Sequence, residues 1–271
     1  MIRIHRGAEP GTLADAKATE LPRVQRLAAT RPPTQEDLGG KYKVAHDALW
    51  RAQNYKCCYC ESREQSKRND VEHFRPKARA DRRPGSNETH GYWWLTWTWE
   101  NLLFACRNCN QAPAKLDKFP LAEGSEALRE GDVPPGAERP LLIDPATQSG
   151  IEHIQFVQTS LGTVSKTGRW YPRPRHGSRW GAMTIKACML DRPDLLDLYG
   201  QRVEQYVRPM VEDIRVAMRT GTGADVQRLW SRTLIRLLNP AQEYIGLSYD
   251  ALDQLIPATL RRKHQLDLRL P

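Results

Sequence analysis

The sequence predicts an α+β chain, with short strands and paired cysteines in its first half and amphipathic helices in its last third. Three observations point there. Two Cys-x-x-Cys pairs, Cys57/Cys60 and Cys106/Cys109, accompany two short strand-like segments, one marked by Val71 and Phe74 and one by the apolar run Leu102–Ala105. From Leu195 to Met218, apolar residues recur three and four apart, the spacing of one helical face. A chain of 271 residues that is 39% apolar and carries eight Trp can build the cores of one or two domains, which excludes disorder throughout.

Residues 1–40 are rich in Pro, Gly, Ala and charge, and Arg31-Pro32-Pro33-Thr34 breaks any helix, so we read an extended N-terminal arm or a partly disordered leader. A helix is expected from about Gly40 to Asn54, with Val44, Ala45, Ala48, Leu49 and Ala52 on one face. The first strand, around Asp70–Phe74, must end at Pro76. After a polar loop over 78–91, the aromatic cluster Tyr92–Trp99 reads as core, Asn101–Cys106 as the second strand, and Cys109-Asn110-Gln111 as a helix start. These elements make a core over 41–135. A β-rich connector over 136–175 holds Leu141–Ile143, His153–Val157 and a turn at Leu161-Gly162.

The helical region covers 176–271. Asp191 before Arg192-Pro193 is a candidate N-cap, Pro209 calls for a kink or two shorter helices, another helix spans about 223–238, and the tail after Ser248 is helical with a basic end.

No apolar run approaches the ~18 residues of a membrane span. The basic start meets Ala8-Glu9-Pro10-Gly11 where a secretory signal would be apolar, so the expectation is a cytoplasmic protein. In a reducing compartment six cysteines read as metal ligands. The net charge of +9 suits a polyanionic partner.

Two matched knuckles supply four thiolates, the donor set of a closed, structural Zn²⁺ site, which leaves Cys58 and Cys188 outside it. Between and beside the knuckles lie Glu72, His73, Asn101 and Asn110. A neutral imidazole at His73 can take a proton from water, while the Glu72 carboxylate and the Asn110 amide are hard ligands for Mg²⁺ or Mn²⁺. Adjacent strand residues face opposite ways, so Glu72 and His73 share one metal only if the strand ends or bends there. Asn101 is suited to hold the loop that carries His73.

The run Cys57…Glu72-His73-Phe74-Arg75-Pro76-Lys77…Asn101-Leu102-Leu103…Cys106-x-x-Cys109-Asn110…Lys118-Phe119-Pro120 resembles the HNH endonuclease family. The resemblance implies the zinc-stapled ββα-metal fold, with His73 as general base, Asn101 as the structural middle residue, and Glu72 and Asn110 as ligands of a catalytic divalent ion. Glu72 stands where Asp is commonest, and Asp70 is near enough to assist. Ile4–Pro10, Tyr92–Leu95, Trp99–Leu102, Leu142–Pro145, Thr184–Lys186 and Leu195-x-x-Leu198…Arg202 extend the likeness to the HNH subunits of Septu and retron-associated anti-phage defence systems, the PtuB-like proteins. Those work beside an ABC/SMC-like ATPase (PtuA-like), so the resemblance implies an effector nuclease acting on DNA or RNA. Either Lys115 or Lys118 takes the family's basic position.

Arg75, Lys77, Arg79, Arg82 and Arg83 follow His73 closely and suit phosphate contacts; a solvated loop is the other reading. The basic segment Lys166–Lys186 interleaves Trp170, Tyr171 and Trp180, as stacking surfaces for single strands do, or as core aromatics do. The rival to catalysis is a zinc-stabilised nucleic-acid-binding or ATPase-docking subunit.

Overall fold

In the computed structural model, residues 1–65, 69–83, 90–159 and 169–271 are described, which leaves Leu161-Gly162 and Lys166 outside. The chain divides into two units: Arg3–Gln148 with Lys186–Met189, and Met1–Ile2 with Ser149–Ile185 and Leu190–Pro271. The division between them falls near residue 148.

In the first unit the expected extended arm is instead largely helix, α1 (Gly11–Ala28). Leu13, Ala16, Glu20 and Val24, three or four apart, form its buried face. Glu20 hides this pattern in the sequence. Its carboxylate sits 2.6 Å from Lys41 Nζ and accepts from Arg23 Nε at 2.9 Å, and these partners hold its pKa below the usual range. A capping box between Thr34 and Asp37 starts the short α2 (Gln35–Leu38). The helix expected over 40–54 is a 3₁₀ turn (Lys41–Ala45) followed by α3 (His46–Ala52). Its buried residues are Tyr42, Ala45 and Leu49, while Val44 is exposed.

Strands β1 (Asp70–His73) and β2 (Leu102–Ala105) pair antiparallel, with Asp70 opposite Ala105 and His73 opposite Leu102. The buried Gln53 amide stands in for a further strand along β2, donating to Phe104 O and accepting from Phe104 N, both at 2.8 Å. The four-residue α4 (Arg107–Asn110) follows β2 directly. Tyr92, Trp93, Trp94, Trp97 and Trp99 are all buried in this unit's core. Leu141–Ile143, expected as a strand, is irregular, with Leu142 and Ile143 buried.

The second unit pairs β3 (Ile154–Thr159) with β4 (Arg169–Pro174). Trp170 is fully buried and Trp180 is 40% exposed, so the interleaved aromatics divide between core and surface. Helix α5 (Arg179–Cys188) is followed by α6 (Pro193–Arg202), whose N-cap is Arg192, not Asp191, with Pro193 in its first turn. A π turn (Val203–Val207) joins α6 to α7 (Arg208–Thr220). Pro209 cannot donate to the helical ladder, and the widened turn lies directly before it. A capping box at Thr222 and Asp225 opens α8 (Gly223–Leu237), and α9 (Ile245–Leu255) and α10 (Ala258–Lys263) close the chain. Asp250 ties α9 to β3 by accepting from Phe156 N at 2.8 Å. Among the described residues no helix is long and apolar enough to cross a membrane.

Candidate metal centre and catalytic cleft

Cys57 and Cys60 precede β1, and Cys106 and Cys109 flank the start of α4. Their four sulfurs lie within 4.8 Å of one another, all buried, and no other such cluster occurs among the described residues. The knuckle turns form locally: Tyr59 N donates to Cys57 Sγ at 3.4 Å, and Cys109 N donates to Cys106 O at 3.1 Å. Cys60 Sγ is 3.8 Å from Cys106 Sγ. Sulfurs ~2.3 Å from a tetrahedral Zn²⁺ are themselves about 3.8 Å apart, so the donor set fits zinc in both chemistry and spacing. Burial opposes a thiolate at Cys57, but hydrogen bonds from the neighbouring cysteines hold its pKa well below the ordinary thiol range. Cys58 and Cys188 are buried outside the set, and burial pushes both thiols up.

Beside this centre is a cleft of about 260 Å³ lined by Asp70, Glu72, His73, Lys77, Asn110 and Tyr42, among others. Asn110 follows a zinc-type ligand immediately, so the second knuckle fixes where α4 presents its amide. Asn110 Nδ2 lies 3.2 Å, and Gln111 Nε2 3.0 Å, from Asp70 Oδ2. An amide turned by 180° offers its oxygen at the same place. Two ligands in adjacent positions on an octahedral Mg²⁺ at ~2.1 Å are about 3.0 Å apart, so Asp70 with Asn110 fits a hard divalent ion.

His73 is buried at the end of β1, with Tyr42 packed edge-on at 4.6 Å between ring centroids. Its Nε2 lies 3.0 Å from Thr96 O. A carbonyl only accepts, so Nε2 carries the proton and Nδ1 the lone pair. Burial, and then the charge of Lys77, push its pKa well below the usual histidine range, which keeps the ring neutral near pH 7.

Asn101 clasps the loop after His73. Its Oδ1 accepts from Arg75 N at 2.8 Å, and its Nδ2 donates to Arg75 O at 3.0 Å and Leu95 O at 3.3 Å. Phe74 N also donates to Asn101 O at 2.9 Å, which continues the β1–β2 pairing one step past the strands.

The remaining residues go to different places. Glu72 is 3% exposed; its Oε1 is 2.5 Å from Lys115 Nζ and accepts from Tyr59 OH at 3.1 Å. Burial raises its carboxyl pKa, with Lys115 opposing. Lys115 is itself fully buried and also donates to His73 O at 3.1 Å, so its ammonium is not presented to a phosphate. Lys118 stands at the surface, where it donates to Pro113 O. Arg75, also expected on a phosphate, is buried and donates from Nε to Glu138 Oε2 at 2.7 Å. Arg82 turns inward as well, onto Tyr92 OH. Of the basic residues following His73, Lys77 lines the cleft, with its ammonium 4.9 Å from the Tyr42 ring centre. Sequence reasoning passed over Tyr42, Gln111 and Tyr59. Tyr59 carries one signal, its place inside the first knuckle; the other two carry none.

Comparison with known proteins adds one relative. The Septu protein PtuB of Bacillus mycoides (strain KBAB4) is 26% identical over 253 residues, 88% of this chain and 81% of its own. This chain is related to PtuB. No family model matches the chain. No solved structure matches it either.

Proposed function

We propose that this chain is a metal-dependent HNH-type endonuclease that hydrolyses phosphodiester bonds of DNA or RNA. We further propose that it serves in anti-phage defence inside the cell, as the effector beside a PtuA-type ATPase subunit. One observation carries the catalytic reading: a neutral imidazole with its lone pair on Nδ1 lines the same cleft as Asp70 and Asn110. The relation to PtuB and the resemblance to retron-associated nucleases support the biological role.

In this reading His73 Nδ1 takes a proton from the attacking water while Thr96 O holds the opposite side of the ring. The water oxygen bonds to phosphorus, the P–O3′ bond breaks, and the 3′-oxygen leaves and takes a proton from solvent. Asp70 and Asn110 would hold Mg²⁺ or Mn²⁺, which when bound offsets charge on the phosphate and the departing oxygen. Asn101 keeps the His73 loop in register, and Lys77 meets a phosphate from the cleft wall. The four cysteines would hold the structural zinc that anchors Asn110.

The test is a cleavage assay of the wild-type protein and His73→Ala, alone and with the ATPase, on DNA and RNA with Mg²⁺ or Mn²⁺. Cleavage by the wild type, lost in His73→Ala, is the expected result. Equal cleavage by both proteins refutes the assignment.

A further inference from the structure

Lys115 joins three parts of the site. Its ammonium contacts Glu72 Oε1 at 2.5 Å and His73 O at 3.1 Å, while its backbone N donates to Cys109 O at 3.1 Å. Tyr59, from the first knuckle, donates to the same Glu72 oxygen at 3.1 Å. Both charged side chains are inside the protein, at 0% and 3% exposure. Such an ammonium has no route to a phosphate. A divalent ion on the Glu72 carboxylate would lie within a few ångströms of that ammonium, in a medium where like charges repel strongly.

We propose that Glu72 and Lys115 are positioning residues, a buried ion pair that locks the His73 backbone to the second cysteine knuckle, and not a metal ligand and a phosphate contact. The inference rests on His73 being the base. The pair leaves the metal to Asp70 and Asn110. It also explains how a catalytic histidine at the end of a four-residue strand keeps its ring in place: the carbonyl of the same residue is tied down by Lys115 while Thr96 holds the ring.

The test uses zinc-loaded full chain carrying Lys115→Met, Glu72→Gln, Asp70→Asn, or the double change Glu72→Gln/Lys115→Met. Three quantities are measured: kcat and KM for cleavage, Mn²⁺ affinity by electron paramagnetic resonance without nucleic acid, and the ¹⁵N signals of the His73 ring. Lys115→Met is expected to lower kcat about 100-fold with KM within threefold, and to shift the ring signals. Glu72→Gln is expected to keep Mn²⁺ affinity within threefold, while Asp70→Asn loses more than tenfold.

Among the single variants, two results would overturn the proposal. One is a Lys115→Met variant that keeps kcat and raises KM tenfold with a flatter salt dependence, the mark of a phosphate contact. The other is a Glu72→Gln variant whose Mn²⁺ affinity drops more than tenfold. If Lys115→Met does not fold because a lone carboxylate stays buried, the double variant carries the test. It should fold with shifted ring signals, and wild-type signals would overturn the pairing. If the wild type cleaves nothing, the nuclease reading fails, while the Mn²⁺ and ring-signal arms still decide this one.

Discussion

Replacing Asn101 by Ala tests the clasp on the His73 loop. Asn101 is 3% exposed, and its amide makes bonds of 2.8, 3.0 and 3.3 Å to Arg75 N, Arg75 O and Leu95 O. Truncation leaves the Arg75 N–H without its acceptor inside the protein, and a buried unsatisfied group costs ~1–3 kcal/mol. The two carbonyls add less, because carbonyls tolerate under-satisfaction better than N–H groups. The sum is about 3 kcal/mol. For a domain of this size that lowers Tm by about 6–12 °C. Thermal and urea unfolding of zinc-loaded protein measure it directly. Asn101→Asp sharpens the test, since it keeps the acceptor but turns a carboxylate oxygen towards two carbonyls; it should be worse than Ala. A loss under about 0.5 kcal/mol for Asn101→Ala, or a milder effect for Asp, would refute the clasp. The same variants should lower kcat, because the clasped loop begins at His73.

Elemental analysis should find about one zinc per chain, and Cys60→Ser or a strong chelator should remove it and melt the β1–β2 unit; a folded, zinc-free protein purified without chelators would remove the claim. The His73 pKa lies below the usual histidine value of ~6.5, so the neutral base persists as pH falls past that point. The acid limb of kcat/KM is therefore expected below pH ~6.5, and an acid limb at or above that value would argue against His73 as the base. Arg75→Ala should act on stability, losing about 3–5 kcal/mol by leaving the fully buried Glu138 carboxylate without its guanidinium. Lys77→Ala should instead keep stability and reduce the salt slope of nucleic-acid binding by ~1; the reverse pattern in denaturation and binding assays would show the two roles exchanged.

The legibility of this fold follows local chemistry. The strands β1 and β2 can be read because apolar residues and Pro76 mark them, and the cysteine cluster can be read because knuckle spacing is a local property. Helix α1 cannot, because Glu20, a charged residue, holds a buried position between Ala16 and Val24 and is satisfied by Lys41 and Arg23. Among the site residues, Asn101 follows from what an amide can do for a loop. Lys115 and Arg75 do not: a lysine at the family's basic position and an arginine just after a histidine look like phosphate contacts until their buried acidic partners, Glu72 and Glu138, come into view. Strand β4 is hard to read because it is a basic, aromatic-rich segment whose pairing with β3 depends on contacts outside itself.

The dimensions of the site explain why so many fixed points surround so small a sheet. Two strands of four residues each are too short to hold a shape in water. Four constraints compensate: Gln53 along β2, Asn101 beyond the strand ends, Lys115 on the His73 carbonyl, and the four cysteines at the far end. The first three are hydrogen-bonding side chains, each able to shift a few tenths of an ångström. A metal held by the four thiolates would be different in kind, since it would set both knuckles to one centre and so set where α4 begins. Asn110 is the residue after the last sulfur, and Asp70 is paired across from Ala105, the residue before Cys106. The spacing between those two candidate ligands is thus determined at both ends by the second knuckle. Loss of zinc should accordingly abolish binding of the second ion as the β1–β2 unit melts, and Mn²⁺ electron paramagnetic resonance on zinc-stripped protein checks it; full Mn²⁺ affinity without zinc would refute the coupling.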